Sequence, residues 1–261
     1  PPTREPDPGN AGGGSLVSAV PANTDAYVMT GCAVVVTGAD ALPAAALAAI
    51  PPDAVVIAAD GALDHALAAG LTPAGLVGDL DSVSARGLAW AQAHATIERH
   101  SPDKDLTDTE LALRTATDLN PDRLMLIGAG DRLDHLIAAI GALGHLRLTS
   151  IPVIEGWWGT NRLRVVHGPG QAHLALPVGT TLSLLALHGP CTGVHISGVR
   201  WPLLDAELAA AVGLGVSNLS TEPDVTVRVS SGVLTVIVNE TEQPAPAKRR
   251  RTGTARKEAA R

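Results

Sequence analysis

The sequence predicts an α/β protein, an N-terminal parallel-sheet α/β domain followed by a small all-β sandwich domain. Two observations carry this. Through residue 150, short runs rich in Val and Ile alternate with Ala/Leu-rich stretches of helical length, the pattern of a parallel sheet covered on both faces. After about residue 160 the helical stretches nearly vanish, and short alternating segments punctuated by Gly and Pro take their place.

Taken in order, residues 1–30 are rich in Pro, Gly and Ser without periodicity and predict a disordered extension. Buried strands are predicted at 32–36, 55–59, 75–78 and 124–128, with helices at 61–70, 84–95 and 108–118 between them. A further helix follows Asp131 and carries Leu133, Leu136, Ile137, Ile140 and Leu143. These elements make 31–155 one α/β domain. In 160–240, strands are predicted at 162–167, 172–176, 181–187, 194–200, 225–229 and 233–238. The last two flank Ser230-Ser231-Gly232, a hairpin signal.

Composition narrows the function. The chain has 261 residues, 46% of them apolar but only 2% aromatic with no Phe, so its core must be Leu, Val, Ile and Ala. Its net charge is −7, yet Lys248–Arg261 holds seven Lys/Arg against one Glu. That basic tail, 241–261, predicts disorder, and the body it leaves, at −13, argues against a nucleic-acid surface. No apolar run approaches the roughly 20 residues of a bilayer-spanning helix, and no leader pattern is evident. Cys32 and Cys191 lie far apart with neither a CxxC pair nor a disulfide-framework spacing, which suits a reducing compartment and leaves oxidative export open. The expectation is a cytoplasmic protein with no membrane and no nucleic-acid partner.

Four acidic clusters fall where strands of the first domain should end, and ligands of open α/β sheets bind at the carboxyl ends of strands. Asp60 follows the strand 55–59, and Asp79 and Asp81 lie in Gly78-Asp79-Leu80-Asp81-Ser82. If that loop stays extended, the period of two puts both carboxylates on one side. Carboxylates so placed suit Mg²⁺ carrying substrate phosphates; the plainer alternative is a polar loop of Asx turns. Next comes Asp103-Lys104-Asp105-Leu106-Thr107-Asp108-Thr109-Glu110, where Thr107 and Glu110 have capping-box spacing and Asp108 complements a helix dipole. The fourth, Gly128-Ala129-Gly130-Asp131-Arg132-Leu133-Asp134, is a glycine-containing strand-to-helix turn with amides and a guanidinium for phosphate. There Asp131 is equally a candidate N-cap with Asp134 its partner.

The series Ala59-Asp60-Gly61, Gly78-Asp79-Leu80-Asp81-Ser82, Asp103-Lys104-Asp105 through Leu113, and Arg132-Leu133-Asp134-His135 resembles the catalytic domain of thiamine pyrophosphokinases. Ser183-Leu184-Leu185, Gly193–Leu203 and Gly215-Val216-Ser217-Asn218 resemble the same family's thiamine-binding β domain, so the resemblance runs over roughly 32–240. It departs from the family pattern at Ala62, Asp131 and Ala139. The resemblance implies transfer of pyrophosphate from ATP to the thiamine hydroxyl, giving thiamine diphosphate and AMP, in a homodimer with a shared active site. It implies that Asp79, Asp81 and Asp108 hold Mg²⁺ and phosphates, that Asp60 lines the same cleft, and that Lys104, Thr107, Arg132 and Asp134 contact nucleotide. Trp201 would stack on the thiamine ring, with Ser217 and Asn218 hydrogen-bonding its aminopyrimidine edge. Three other readings compete: a pyrophosphokinase for another alcohol such as a pterin, a nucleotide-sugar transferase using DxD, and a non-catalytic thiamine or nucleotide sensor.

Overall fold

The structure, a computed structural model, describes residues 31–130 and 132–240. The extension 1–30, the basic tail 241–261 and Asp131 lie outside the described residues, and the expectations made for them with them.

The first half folds as β1 (Cys32–Gly38), α1 (Ala44–Ala48), β2 (Val55–Ala59), α2 (Ala62–Ala68), β3 (Gly75–Gly78), α3 (Ala85–His94), β4 (Thr96–Arg99), α4 (Asp108–Asp118), β5 (Arg123–Ala129), α5 (Leu133–Leu143) and β6 (Val153–Trp158). These six strands run parallel in the order β6-β5-β1-β2-β3-β4. Alternation along β1 divides the core. Val34 and Val36 pack with Ala46 of α1 and Ala62 and Ala66 of α2, whereas Ala33 and Val35 pack with residues of α4 and α5. The chain therefore winds outward from β1 to β4 on one face and returns through α4 on the other. The reversal lies between β1 and β5, the switch point where such sheets open a crevice.

Helix α4 is fixed at both levels. Thr107 and Glu110 form the expected capping box, while Leu111, Ala112, Leu113 and Ala116 are buried on the sheet. Burying its two leucines is worth about 3–6 kcal/mol before chain entropy. By contrast, α5 does not turn its whole apolar stripe inward. Ala139 and Leu143 are buried, but Leu133 is 64% and Ile137 61% exposed.

The second half comprises β7 (Asn161–His167), β8 (Gly170–Ala175), β9 (Thr181–Leu185), β10 (Cys191–Ser197), β11 (Leu203–Leu208), β12 (Asn218–Leu219), β13 (Asp224–Val229) and β14 (Val233–Asn239). A sandwich forms, as expected, from β7, β14, β9 and β12 on one side and the four-stranded sheet β11-β10-β13-β8 on the other. Val236, Leu184 and Leu182 of the first meet Val227, Ile196 and Leu174 of the second in one core.

Three expectations need correction. The parallel sheet does not stop at the second half: β7 adds antiparallel to β6, making a mixed ten-stranded sheet that runs into the sandwich. The segment around Ser230-Ser231-Gly232 is not a hairpin, because β13 and β14 belong to different sheets. Both strands alternate toward the same core, and Thr192 of β10 holds the corner by exchanging backbone hydrogen bonds with Ser230 and Ser231. Finally, α1, β4, β6, β11 and β12 escape the sequence reading. β4 is a mostly exposed edge, β6 carries Glu155 and Gly156 mid-strand, and β12 has two residues, so none presents an apolar run.

Candidate active site

The carboxylates come together at the ends of β2 and β3. Asp60, directly after β2, has a left-handed φ of 47° and donates its N–H to the Val77 carbonyl at 2.9 Å. This locks its side chain over the end of β3, where it is 9% exposed. Ser82 donates its hydroxyl to Asp60 Oδ2, while Oδ1 is buried without a hydrogen-bond partner. The loop after β3 is not extended: Leu80 has φ 68°, and the Asp81 N–H donates to Asp79 Oδ1 at 3.4 Å in an Asx turn. That turn, rather than strand alternation, brings carboxylate oxygens of Asp60, Asp79 and Asp81 within 4.8 Å of one another.

Asp108 reaches the same place from the first turn of α4. Lys104 donates to Asp79 Oδ2 at 2.9 Å and lies 3.0 Å from Asp108 Oδ1, which it meets as a charge rather than along a hydrogen-bond direction. Gly78 lies behind the group with φ 150°; a Cβ there would come within 3.0 Å of Asp108 Oδ1 and of Asp60 Cβ. Thr109, next to Asp108, shares a 2.6 Å hydroxyl hydrogen bond with Thr37 of β1, tying α4 to the switch point.

The charges respond as Coulomb's law requires. The hydrogen bond from Lys104 holds the Asp79 carboxyl below the usual carboxylate range. The negative charge of Asp79, with those of Asp60 and Asp108, pushes Asp81 up. Burial works against the Lys104 charge, but the hydrogen bond it donates to Asp79 and the negative charges of Asp108 and Asp79 outweigh it, so its proton is held more firmly. An oxygen-rich donor set in which two buried oxygens, Asp60 Oδ1 and Asp108 Oδ1, lack a hydrogen bond is suited to a small hard cation.

The other predicted residues fall into two groups. Arg132 and Asp134 stand at the start of α5 and pair with each other, Nη2 to Oδ2 at 2.6 Å, both largely exposed; no hydrogen bond links them to the cluster. Arg132 takes the N-cap position of α5 and makes no side-chain cap. Of the two glycines in that turn, Gly128 has a packing reason, since the Trp158 indole lies where its Cβ would be. Thr107 spends its hydroxyl on Glu110, accepting from its N–H at 3.2 Å and donating to Oε2 at 2.8 Å, so it acts on the cluster by starting α4.

Trp201 and Asn218 do meet, and Ser217 precedes Asn218 in the chain. Asn218 is buried, accepts from the Trp201 and Leu219 N–H groups on Oδ1 at 3.1 and 2.9 Å, and donates through Nδ2 to the Trp201 carbonyl at 2.7 Å. Three of its four hydrogen-bond positions are thus filled, two of them by the Trp201 backbone, leaving one N–H. The Trp201 ring is 54% exposed, with the Arg200 guanidinium 4.8 Å from its centroid on one face. Ser217 has φ 61°, and its N–H donates to Ser183 Oγ at 3.1 Å. Sequence reasoning missed Ser82, Gly78 and the Thr37–Thr109 pair; of these only Ser82 and Gly78 carried a signal, flanking the two aspartates.

A nucleotide-type carboxylate cluster on one half and an aromatic platform on the other match what comparison finds. A model of the thiamin pyrophosphokinase catalytic domain matches residues 49–154, and one of the thiamin pyrophosphokinase vitamin B1 binding domain matches 166–234. Among solved structures, thiamin pyrophosphokinase from Geobacillus thermodenitrificans is 25% identical with a TM-score of 0.67, covering 81% of this chain and 98% of that one. Thiamine pyrophosphokinase from Bacillus subtilis shares the fold at 21% identity and TM-score 0.70, covering 81% and 100%. The yeast enzyme shares it at 12% identity and TM-score 0.60, covering 80% and 86%. The search of curated proteins gives no match. With both domain models matching in order over about two-thirds of its length, and the fold shared from end to end of these structures, the chain belongs to the thiamin pyrophosphokinase family.

Proposed function

We propose that this chain transfers the pyrophosphoryl group of ATP to the hydroxyl of thiamine, releasing AMP, with residues 31–155 binding the nucleotide and 160–240 the acceptor. The observation that carries the reading is the convergence of Asp60, Asp79 and Asp81 within 4.8 Å beside the switch point, with Lys104 bridging to Asp108. In the reaction the thiamine hydroxyl oxygen bonds to the β-phosphorus, the bond from that phosphorus to the α–β bridging oxygen breaks, and the hydroxyl proton is lost. Asp79, Asp81 and Asp108 are the residues to hold Mg²⁺; bound there, it would neutralise phosphate charge. Gly78 leaves room behind them, and Asp60, fixed by Ser82, sets the depth of the cleft. Lys104 is placed for phosphate oxygens, and Arg132 with Asp134, near the switch point, for the rest of the nucleotide. Trp201 offers its free face to the acceptor ring, with Ser217 and the remaining Asn218 N–H at its edge.

The separation of the two halves within one chain supports a site shared between two protomers. In the ten-stranded sheet, β12 with Asn218 lies seven strands from β2, or about 34 Å at the usual strand spacing. A homodimer in which each site takes carboxylates from one protomer and Trp201 from its partner resolves this, and the exposed Leu133 and Ile137 of α5 are apolar surface such an assembly can cover. No helix among the described residues is long and apolar enough to cross a membrane, and a cytoplasmic enzyme is the proposal.

The test is to incubate the chain with ATP, Mg²⁺ and thiamine, with and without Asp79→Asn/Asp81→Asn, and to quantify AMP and thiamine diphosphate. Equimolar products, abolished in the variant, support donor, acceptor and cluster together. ADP as product, or turnover only with a pterin or another alcohol, refutes the acceptor or the chemistry; binding without turnover leaves a sensor. Site sharing is tested by mixing the Asp79→Asn/Asp81→Asn chain with a Trp201→Ala chain. Random pairing in a shared-site dimer restores about a quarter of wild-type sites, because each mixed dimer holds one intact site, whereas self-contained chains restore none.

A further inference from the structure

A cavity of about 280 Å³ opens between α4 and the end of α5, away from the carboxylate cluster. Its floor is apolar, with Leu113 and Leu148 buried and Leu106 at one end. Its rim is cationic or donating. Arg114 and Arg147 line it, and neither forms an ion pair among the described residues. His145 lines it too and accepts the Arg147 N–H on Nδ1 at 3.1 Å, which leaves the ring proton on Nε2 as a further donor. The one carboxylate present, Glu110, is engaged by Thr107 through both its N–H and its hydroxyl at 2.8 Å.

Two guanidiniums, neither with a carboxylate partner among the described residues, share this one cavity in a chain of net charge −7. A planar fork of donors above an apolar floor is the arrangement that recognises a carboxylate or phosphate carried on an apolar body. We infer that this cavity is a second binding site, for a small organic anion with a flat apolar body, separate from the site for nucleotide and thiamine. The inference does not rest on the proposed activity, since it needs neither substrate.

Calorimetric titration of the full chain with phenyl phosphate, without nucleotide, metal or thiamine, tests it. The expected result is one site per chain, with affinity falling roughly tenfold for each guanidinium removed in Arg114→Ala and Arg147→Ala. Inorganic phosphate, which lacks the apolar body, and benzyl alcohol, which lacks the charge, are expected to bind at least about tenfold more weakly. Phenyl phosphate binding that is absent, or that is unchanged in the folded Arg114→Ala/Arg147→Ala chain, overturns the site. Inorganic phosphate binding as tightly as phenyl phosphate overturns the ligand class. Circular dichroism of the double variant confirms its fold, which both exposed side chains leave intact.

Discussion

Gly78 is where the fold and the proposed chemistry press hardest on one residue. A Cβ added there meets Asp108 Oδ1 and Asp60 Cβ at 3.0 Å and Asp108 Cγ at 3.2 Å, at a φ of 150° that L side chains rarely adopt. Asp60 cannot yield, being buried at φ 47° with its backbone bonded to Val77, so the Asp108 carboxylate must move outward by a few tenths of an ångström. Gly78→Ala is thus expected to cost about 1–3 kcal/mol in backbone strain. At about 2–4 °C per kcal/mol for a chain of this size, a mid-range strain lowers the Tm by about 4–8 °C. Activity should fall by more than the loss of folded protein explains, roughly tenfold or more in kcat/KM, because small misplacements of charged groups are costly. Gly70→Ala is the control: its φ of 81° brings similar strain, but nothing lies within 4 Å of the new Cβ. Thermal unfolding and product formation on both variants decide the matter. Wild-type kcat/KM in Gly78→Ala, or an equal loss in Gly70→Ala, would refute the claim that this glycine makes room for the carboxylates.

Other consequences are as specific. Thr107→Ala removes the cap hydroxyl of α4 and should cost about 1 kcal/mol in urea unfolding, with Thr107→Ser restoring most of it. Burial, with a smaller contribution from His188, holds the His167 imidazole below its ordinary pKa. The unfolded chain therefore takes up that proton first, so stability is full above the ordinary histidine pKa and declines as pH falls through it; His167→Gln should flatten this slope in denaturant titrations between neutral pH and mild acid. Trp201→Ala should raise the thiamine KM about five- to tenfold, the value of one lost cation–ring contact, while the exposed position leaves the Tm unchanged.

How much of this the sequence disclosed depends on whether the information was local. The strands 55–59 and 75–78 and the helix 108–118 were legible to the residue, because apolar runs and a Thr/Glu capping box need no tertiary context. The corner at Ser230-Ser231-Gly232 was not, since a hairpin and a switch between packed sheets share the same local pattern and only Thr192, some forty residues upstream, decides. The aspartates announced the site by lying at strand ends, yet their convergence depends on left-handed backbone at Asp60 and Leu80, and a leucine does not mark that conformation. Asn218 illustrates the same limit. Its side chain was legible as important, but its commitment to the Trp201 backbone emerges only when β12 is laid beside residues 199–201.

Lys104 shows how such a cluster survives folding at all. Four carboxylates on the turns after β2 and β3 and on α4 repel one another, and like charges this close would spread the loops apart. A single ammonium, 15% exposed, binds Asp79 on one loop and Asp108 on the helix, joining the two members that come from separate elements. Asp60 is fixed by other means, its Oδ2 by Ser82 and its backbone by Val77, and Asp81 by its turn onto Asp79. The assembly is thus held in place before any ligand binds, while no cation among the described residues pairs with Asp60 Oδ1 or the Asp81 carboxylate. Geometry is supplied by the protein and residual negative charge is left for a cation, which is the division of labour that electrostatic preorganisation requires.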